Sequence, residues 1–180
     1  MNPYIFCNDN AEEMALFYRD ALSARIGMML TFGDMQEKPS WYTDDIKDKF
    51  AHVVLKTGDF YLMLCDYAGF SEPFNGYHGF SINIAANSEK EGKEYFNALS
   101  NGGTVTVPYE PCSWAKRFGA LEDKFQIKWT VIFEWFSFFY VAVTFEYTDL
   151  DGVVLYDKGN SVYRAKSKGQ LPVRGRCGQS

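Results

Sequence analysis

The chain has 180 residues, 47% hydrophobic and 18% aromatic, which is enough to bury one substantial core and too short for two large independent domains. It carries 18 basic and 23 acidic residues, and every acidic residue precedes position 161, so the first 160 residues hold a net charge of −10. Such an acidic body excludes a nucleic-acid partner as the first reading, because Lys and Arg supply most of the non-specific affinity for phosphate.

The aromatic richness favours strands over a helical bundle. Cys7, Cys65, Cys112 and Cys177 form no CxxC pair, so neither a zinc knuckle nor a disulfide scaffold is expected. No basic stretch followed by an apolar run opens the sequence, and the apolar run near 131–143 is interrupted by Glu134 and is short for a membrane span. The expectation is a cytoplasmic protein with reduced thiols and no membrane partner.

In chain order, "YIFCN" reads as a short strand and "NAEEMALFYRDAL" as a helix. The helix places Met14, Phe17, Tyr18, Ala21 and Leu22 on one face, with Asn10 as its N-cap and Glu13 three residues on. Three strands follow, "ARIGMMLTF", "FAHVVLK" and "FYLMLCD", with Thr57-Gly58-Asp59 as the turn between the last two. Alternation on the second puts Ala51, Val53 and Leu55 toward the helix and His52, Val54 and Lys56 on the opposite face. A Gly-rich linker, "FNGYHGF", carries His78 as an exposed hinge residue.

The pattern then repeats. "FSINIAA" is a strand with Phe80, Ile82 and Ile84 toward a helix and Ser81 and Asn83 away from it. "SEKEGKEYFNAL" is that helix, apolar at Gly92, Tyr95, Phe96 and Leu99, with Ser88 and Glu91 as a capping box. "GTVTVPYE", "RFGALED" and "IKWTVIFE" complete a second β-α-β-β-β unit. A shift of 77 positions superposes Asn10 on Asn87, Tyr18 on Tyr95 and Ala21-Leu22-Ser23 on Ala98-Leu99-Ser100, which identifies a divergent internal repeat. The halves span about 1–68 and 78–135 within one domain, 1–135. Residues 136–165 read as a β-hairpin extension turning at "TDLDGVVLYD" (148–157), and 166–180 as a basic flexible tail. The fold class is therefore α+β, two paired βαβββ modules whose curved sheets surround a cavity.

These elements resemble the vicinal oxygen chelate superfamily, which includes glyoxalase and the bleomycin and fosfomycin resistance proteins. Within it the likeness is to the PhnB-like, or demethylubiquinone-methyltransferase-like, family. "YIFCNDNAEEMALFY", "AHVVLKTGDFYLMLCD", "GFSINI", "FNALSNGGTV", "WAKRFG" and "DKFQIKW" carry it over roughly residues 3–134. Gln126 departs from the pattern, standing where the family has Gly in its closing turn.

The resemblance implies a metal centre in some members, with His or Glu on the first and last strands of each half. Here those positions fall at or near Tyr4, Ser81 and Thr130 or Val131, and Asp66 could offer one lone carboxylate. No bound metal and no cofactor are expected from that donor set. A methyltransferase activity is not implied either, since "SNGGTV" follows a helix, whereas a nucleotide-binding Gly turn precedes one. Ser40, Ser71 and Ser113 lack a nucleophile elbow.

The expectation is a homodimer with an aromatic pocket for a small organic molecule. Its candidate lining residues are Tyr4, Phe6, His52, Tyr61, Ser81, Asn83, Trp114, Arg117 and Trp129. Whether it is an enzyme stays open. The alternative is a metal-dependent lyase, isomerase or dioxygenase, for which the ligands are lacking.

Overall fold

The computed structural model describes residues 2–135, together with the backbone of 155–156 and 162–163. The elements are β1 (Tyr4–Cys7), α1 (Ala11–Ala21), β2 (Arg25–Thr31), β3 (Phe50–Thr57), β4 (Phe60–Asp66), β5 (Ile82–Ala86), α2 (Glu89–Leu99), β6 (Thr104–Cys112), β7 (Ala115–Glu122) and β8 (Lys128–Trp135). They form two four-stranded mixed sheets, ordered β1-β4-β3-β2 and β5-β8-β7-β6. In each, the first strand runs parallel to the fourth and the remaining pairs are antiparallel. The class is α+β with two βαβββ halves, as the internal repeat requires.

The repeat is offset differently in its strands and its helices. Buried Ile5 corresponds to buried Ile82, the 77-residue shift read from the sequence, but buried Met14, Tyr18 and Ala21 correspond to Gly92, Phe96 and Leu99, a shift of 78. One extra residue lies between strand and helix in the second half. Tyr95, the sequence partner of Tyr18, consequently sits half-buried with its hydroxyl on Glu91, and Phe96 takes the core position.

The helix faces of both sheets contribute to a single core. α1 buries Met14, Ala15 and Tyr18 with Val53, Leu55, Leu62 and Leu64, and α2 adds Phe96 and Leu99 with Leu121 and Val131. The halves meet where the Tyr18 ring lies 5.4 Å from Trp129 and Phe17 packs edge-on to Phe125 at 5.5 Å.

Two buried carboxylates tie this core to backbone and side-chain donors. Asp66, at the end of β4, accepts the Ala11 N–H at 2.9 Å and the Phe50 N–H at 2.7 Å. It thereby caps α1 from a neighbouring strand, and Asn10, expected to cap through its own side chain, makes no such bond. Asp123, in the turn before β8, accepts from the Tyr18 hydroxyl (2.6 Å), the Trp129 Nε1–H (2.8 Å) and the backbone of Phe125 (2.9 Å) and Ile127 (3.0 Å). Burial first, and then the adjacent Asp123 charge, hold the Tyr18 phenol well above its ordinary range, so it stays a donor. The second helix is capped as its sequence predicts, Ser88 Oγ accepting from the Glu91 N–H at 3.1 Å. The Glu91 carboxylate reaches back to the Asn87 N–H at 2.6 Å.

Gln126 occupies the left-handed region at φ +70° in the turn closed by its own N–H on the Asp123 carbonyl. The left-handed conformation costs a side-chain-bearing residue about 1 kcal/mol or more, and glycine avoids that cost while losing more entropy on folding. Gln126→Gly is therefore expected to raise stability by about 0.5 kcal/mol, measured as a shift in the urea midpoint at constant m-value.

The hairpin turn expected at 148–157, with its first strand, and the basic tail at 166–180 lie outside the described residues, apart from the backbone of two short strands. These, β9 (Leu155–Tyr156) and β10 (Val162–Tyr163), pair antiparallel.

Candidate functional site

Alternation along β1, β3 and β4 sends Ile5, Val53, Leu55, Leu62 and Leu64 into the core. The residues between them, Tyr4, Phe6, His52, Val54, Tyr61 and Met63, therefore form the outer face of the first sheet. Tyr4 and Phe6 remain 40% and 43% exposed there, an unusual state for two adjacent aromatic positions of one strand. Their rings lie 5.4 Å apart, and Tyr4 stacks on His52 at 5.5 Å. The Tyr4 hydroxyl is 3.0 Å from His52 Nδ1.

Tyr4 enters this pair as a protonated phenol. Burial, and then the neighbouring Cys65, push the Tyr4 phenol far above its ordinary value, so it carries its proton at any physiological pH. It meets His52 as a neutral hydroxyl, able to donate to Nδ1 or accept from it according to the imidazole tautomer. Cys65 lies on the same strand face, paired in register with Phe6. Burial raises its thiol, and the Asp66 charge adds to the rise against the opposing effect of Tyr4. A protonated, buried thiol is a poor nucleophile.

The linker between the halves walls this face. Tyr67 stacks on Phe70 at 4.3 Å, Phe70 meets Phe6 edge-on at 5.1 Å, and Phe74 meets Tyr77 edge-on at 5.1 Å. Tyr77 reaches into the core, its hydroxyl 3.8 Å from Met14 Sδ. The linker bends at Gly69, at φ +75°, where an added Cβ would stand 2.5 Å from the Trp41 ring, so glycine is required by conformation and by space. Between β1 and this linker lies a cleft of about 470 Å³, within the usual range for small-molecule sites. Its rings are Tyr4, Phe6, Tyr67, Phe74, Tyr77 and Phe80.

A second cleft of about 380 Å³ lies where the β3–β4 turn meets β5 and α2. Three of its polar side chains are committed to one another, since Glu91 accepts from the Tyr95 hydroxyl at 3.1 Å and from the Asn87 backbone and side chain. The aromatic cleft leaves its rings exposed and is the stronger candidate.

The residues expected to line one pocket are dispersed. Tyr4 and Phe6 line the aromatic cleft and His52 borders it through Tyr4. Tyr61 shares the sheet face, with the Lys56 ammonium 5.7 Å over its ring. Ser81 is exposed beside Phe80 at the edge of the cleft. Asn83 is on the outer face of the second sheet, donating to Thr130 Oγ1 at 2.8 Å, and the Trp114 ring packs against Phe118 at 4.6 Å. Arg117 and Trp129 depart from the expectation. Arg117 points to the helix side and pairs with Glu89 of α2 at 2.7 Å, and Trp129 is fully buried in the core on Asp123. Phe80 also departs from it. It precedes β5, so strand alternation does not govern it, and it is 47% exposed in the cleft where a helix-facing position was expected.

Tyr67, Phe70, Glu72, Phe74 and Tyr77 were missed altogether. Their signal was the run of aromatics every three or four residues through "YAGFSEPFNGYHGF", which contains too much Gly and Pro for a helix.

The donor set does not fit the metal centre that the resemblance implies for some members. Tyr4 is bonded to His52, Thr130 to Asn83, and the Asp66 carboxylate is turned inward onto two backbone amides. Among the described residues no three His, Cys, Asp or Glu side chains come together in a way that could hold a metal ion.

No protein-family model matches the sequence. Protein YjdN of Escherichia coli K12 is 22% identical over 138 residues, 73% of this chain and 92% of YjdN. Protein PA1353 from Pseudomonas aeruginosa, known from a crystal structure, is 36% identical with a TM-score of 0.65, over 74% of this chain and 96% of PA1353. The fold is shared with a putative 3-demethylubiquinone-9 3-methyltransferase, PhnB protein, from Bacillus cereus, 18% identical with a TM-score of 0.57 over 74% of this chain and 98% of that one. The chain belongs to the vicinal oxygen chelate superfamily, which has PhnB-like members. The vicinal oxygen chelate fold accounts for the repeat, the parallel pairing of first and fourth strands in each half, and the exposed outer face of the first sheet.

Proposed function

We propose that this vicinal oxygen chelate protein binds a small, flat organic molecule in the aromatic cleft without a firmly bound metal. The observation that carries the reading is the pair of exposed rings, Tyr4 and Phe6, facing a 470 Å³ cleft whose opposite wall is also aromatic. Exposed apolar rings beside a formed concavity cost solvation free energy that a stacked ligand recovers. Met28, Tyr61 and Val105 are exposed apolar side chains outside the cleft, and their exposure supports a homodimer in which a second copy covers them. A cytoplasmic setting fits the free state of Cys7, Cys65 and Cys112.

The test is a thermal-shift screen of bicyclic aromatic compounds, in which a binder raises the melting temperature by mass action. His52→Ala and Val53→Ala separate site from scaffold. His52 is partly exposed on the outer face, so its removal should weaken binding several-fold at a stability cost under about 1 kcal/mol. Val53 is fully buried, so its truncation should cost about 2 kcal/mol and leave the affinity of the folded protein unchanged. A larger stability loss at His52 than at Val53, or no melting shift with any compound, would overturn the proposal.

A further inference from the structure

The lining of the aromatic cleft carries a charge asymmetry that narrows the ligand class. Glu72 is among its lining residues, and no Lys or Arg is. His78 is the one basic side chain there, and its Nε2 is engaged by the Asn75 carbonyl oxygen. The remaining polar groups on the aromatic rings are phenols. The Tyr4 and Tyr77 hydroxyls are both held far above their ordinary range, first by burial, so the wall presents neutral rings with electron-rich faces. A ring face attracts a cation and repels an anion, and several rings around one cleft add their contributions in a partly dry space.

We propose that the cleft selects an organic cation: a flat aromatic ring bearing a permanent or protonated positive nitrogen, stacked among Tyr4, Phe6 and Phe74, with the nitrogen toward Glu72. This rests on the binding function proposed above and specifies its ligand. The rings supply most of the selectivity, because Glu72 is exposed and water screens its charge. The net charge of −10 over the first 160 residues favours approach of a cation but cannot place it.

The test is equilibrium dialysis of the full chain against three bicyclic probes of nearly equal size: 1-methylquinolinium (cationic), 1-methylnaphthalene (neutral) and naphthalene-1-sulfonate (anionic). The cation should bind about tenfold tighter than the neutral probe, with the anion weakest. Glu72→Gln should weaken the cation about threefold and leave the neutral probe unchanged, and Phe74→Ala should weaken both about tenfold. Neutral binding as tight as cation binding would overturn the cation class and leave the binding function standing. No measurable uptake of any probe, or uptake by Phe74→Ala equal to that of the parent protein, would overturn both, the second result by showing diffuse attraction to an acidic body.

Discussion

Asp123→Ala is expected to destabilise the protein by about 4 kcal/mol, more than any single truncation of an aliphatic core residue described here. The carboxylate accepts four hydrogen bonds, from Tyr18, Trp129, Phe125 and Ile127, and is itself 3% exposed. Removing it strands the Tyr18 hydroxyl and the Trp129 indole N–H in the buried core, and it frees two amides of the turn that starts β8. Each unsatisfied buried donor costs about 1–3 kcal/mol. The Tyr18 bond also crosses between the halves, so the loss should appear as weakened coupling of their unfolding. Tyr18→Phe supplies the graded comparison: it deletes one donor and leaves Asp123 with three, and should cost about 2 kcal/mol. Urea denaturation of the three proteins checks both values. A loss below about 1 kcal/mol for Asp123→Ala would mean that the network adds little to the fold.

Asp66→Ala should rank second, at about 3 kcal/mol, because it removes two charge-assisted bonds at once. One of them satisfies the first N–H of α1 and the other holds the start of β3, so the substitution uncaps the helix and loosens the sheet edge next to Tyr4 and His52. Asp66→Asn keeps one acceptor oxygen and should recover part of the loss. If Asp66→Ala left stability unchanged, the carboxylate would be available for another role and its reading as a structural cap would fail.

These two acids show where the sequence was legible and where it was not. Periodicity placed every strand and both helices of residues 4–135, and alternation assigned Val53 and Ile82 to the core and His52 and Asn83 to the opposite faces, because one apolar and one polar set leave no choice of side. On "IKWTVIFE" the expected pocket position of Trp129 did not follow the rule: Ile127, Trp129, Val131 and Phe133 alternate with Lys128, Thr130, Ile132 and Glu134, which puts Trp129 on the core side, and its parallel pairing with buried Ile82 agrees. Asp66 read as a strand-end carboxylate and Asp123 as an ordinary acidic turn. Nothing in their local sequence reveals that donors 55 and 105 residues away converge on them. The one-residue difference between strand and helix offsets was hidden because a sequence shift of 77 aligns Tyr18 with a real aromatic, Tyr95, when Phe96 is its structural counterpart. The cleft wall was missed for a related reason: the linker aromatics recur every three or four residues, but the Gly and Pro between them exclude a helix, so their common destination is a tertiary property.

Chemical-shift mapping by NMR with the tightest-binding of the three bicyclic probes tests most directly whether the aromatic cleft is the ligand site. The predicted result is perturbation centred on Tyr4, Phe6, Tyr67, Phe74 and Tyr77, with His52 shifting through its bond to Tyr4. Perturbation centred instead on Thr57, Phe60, Asn87 and Tyr95, which line the cleft at the junction of the halves, would contradict it.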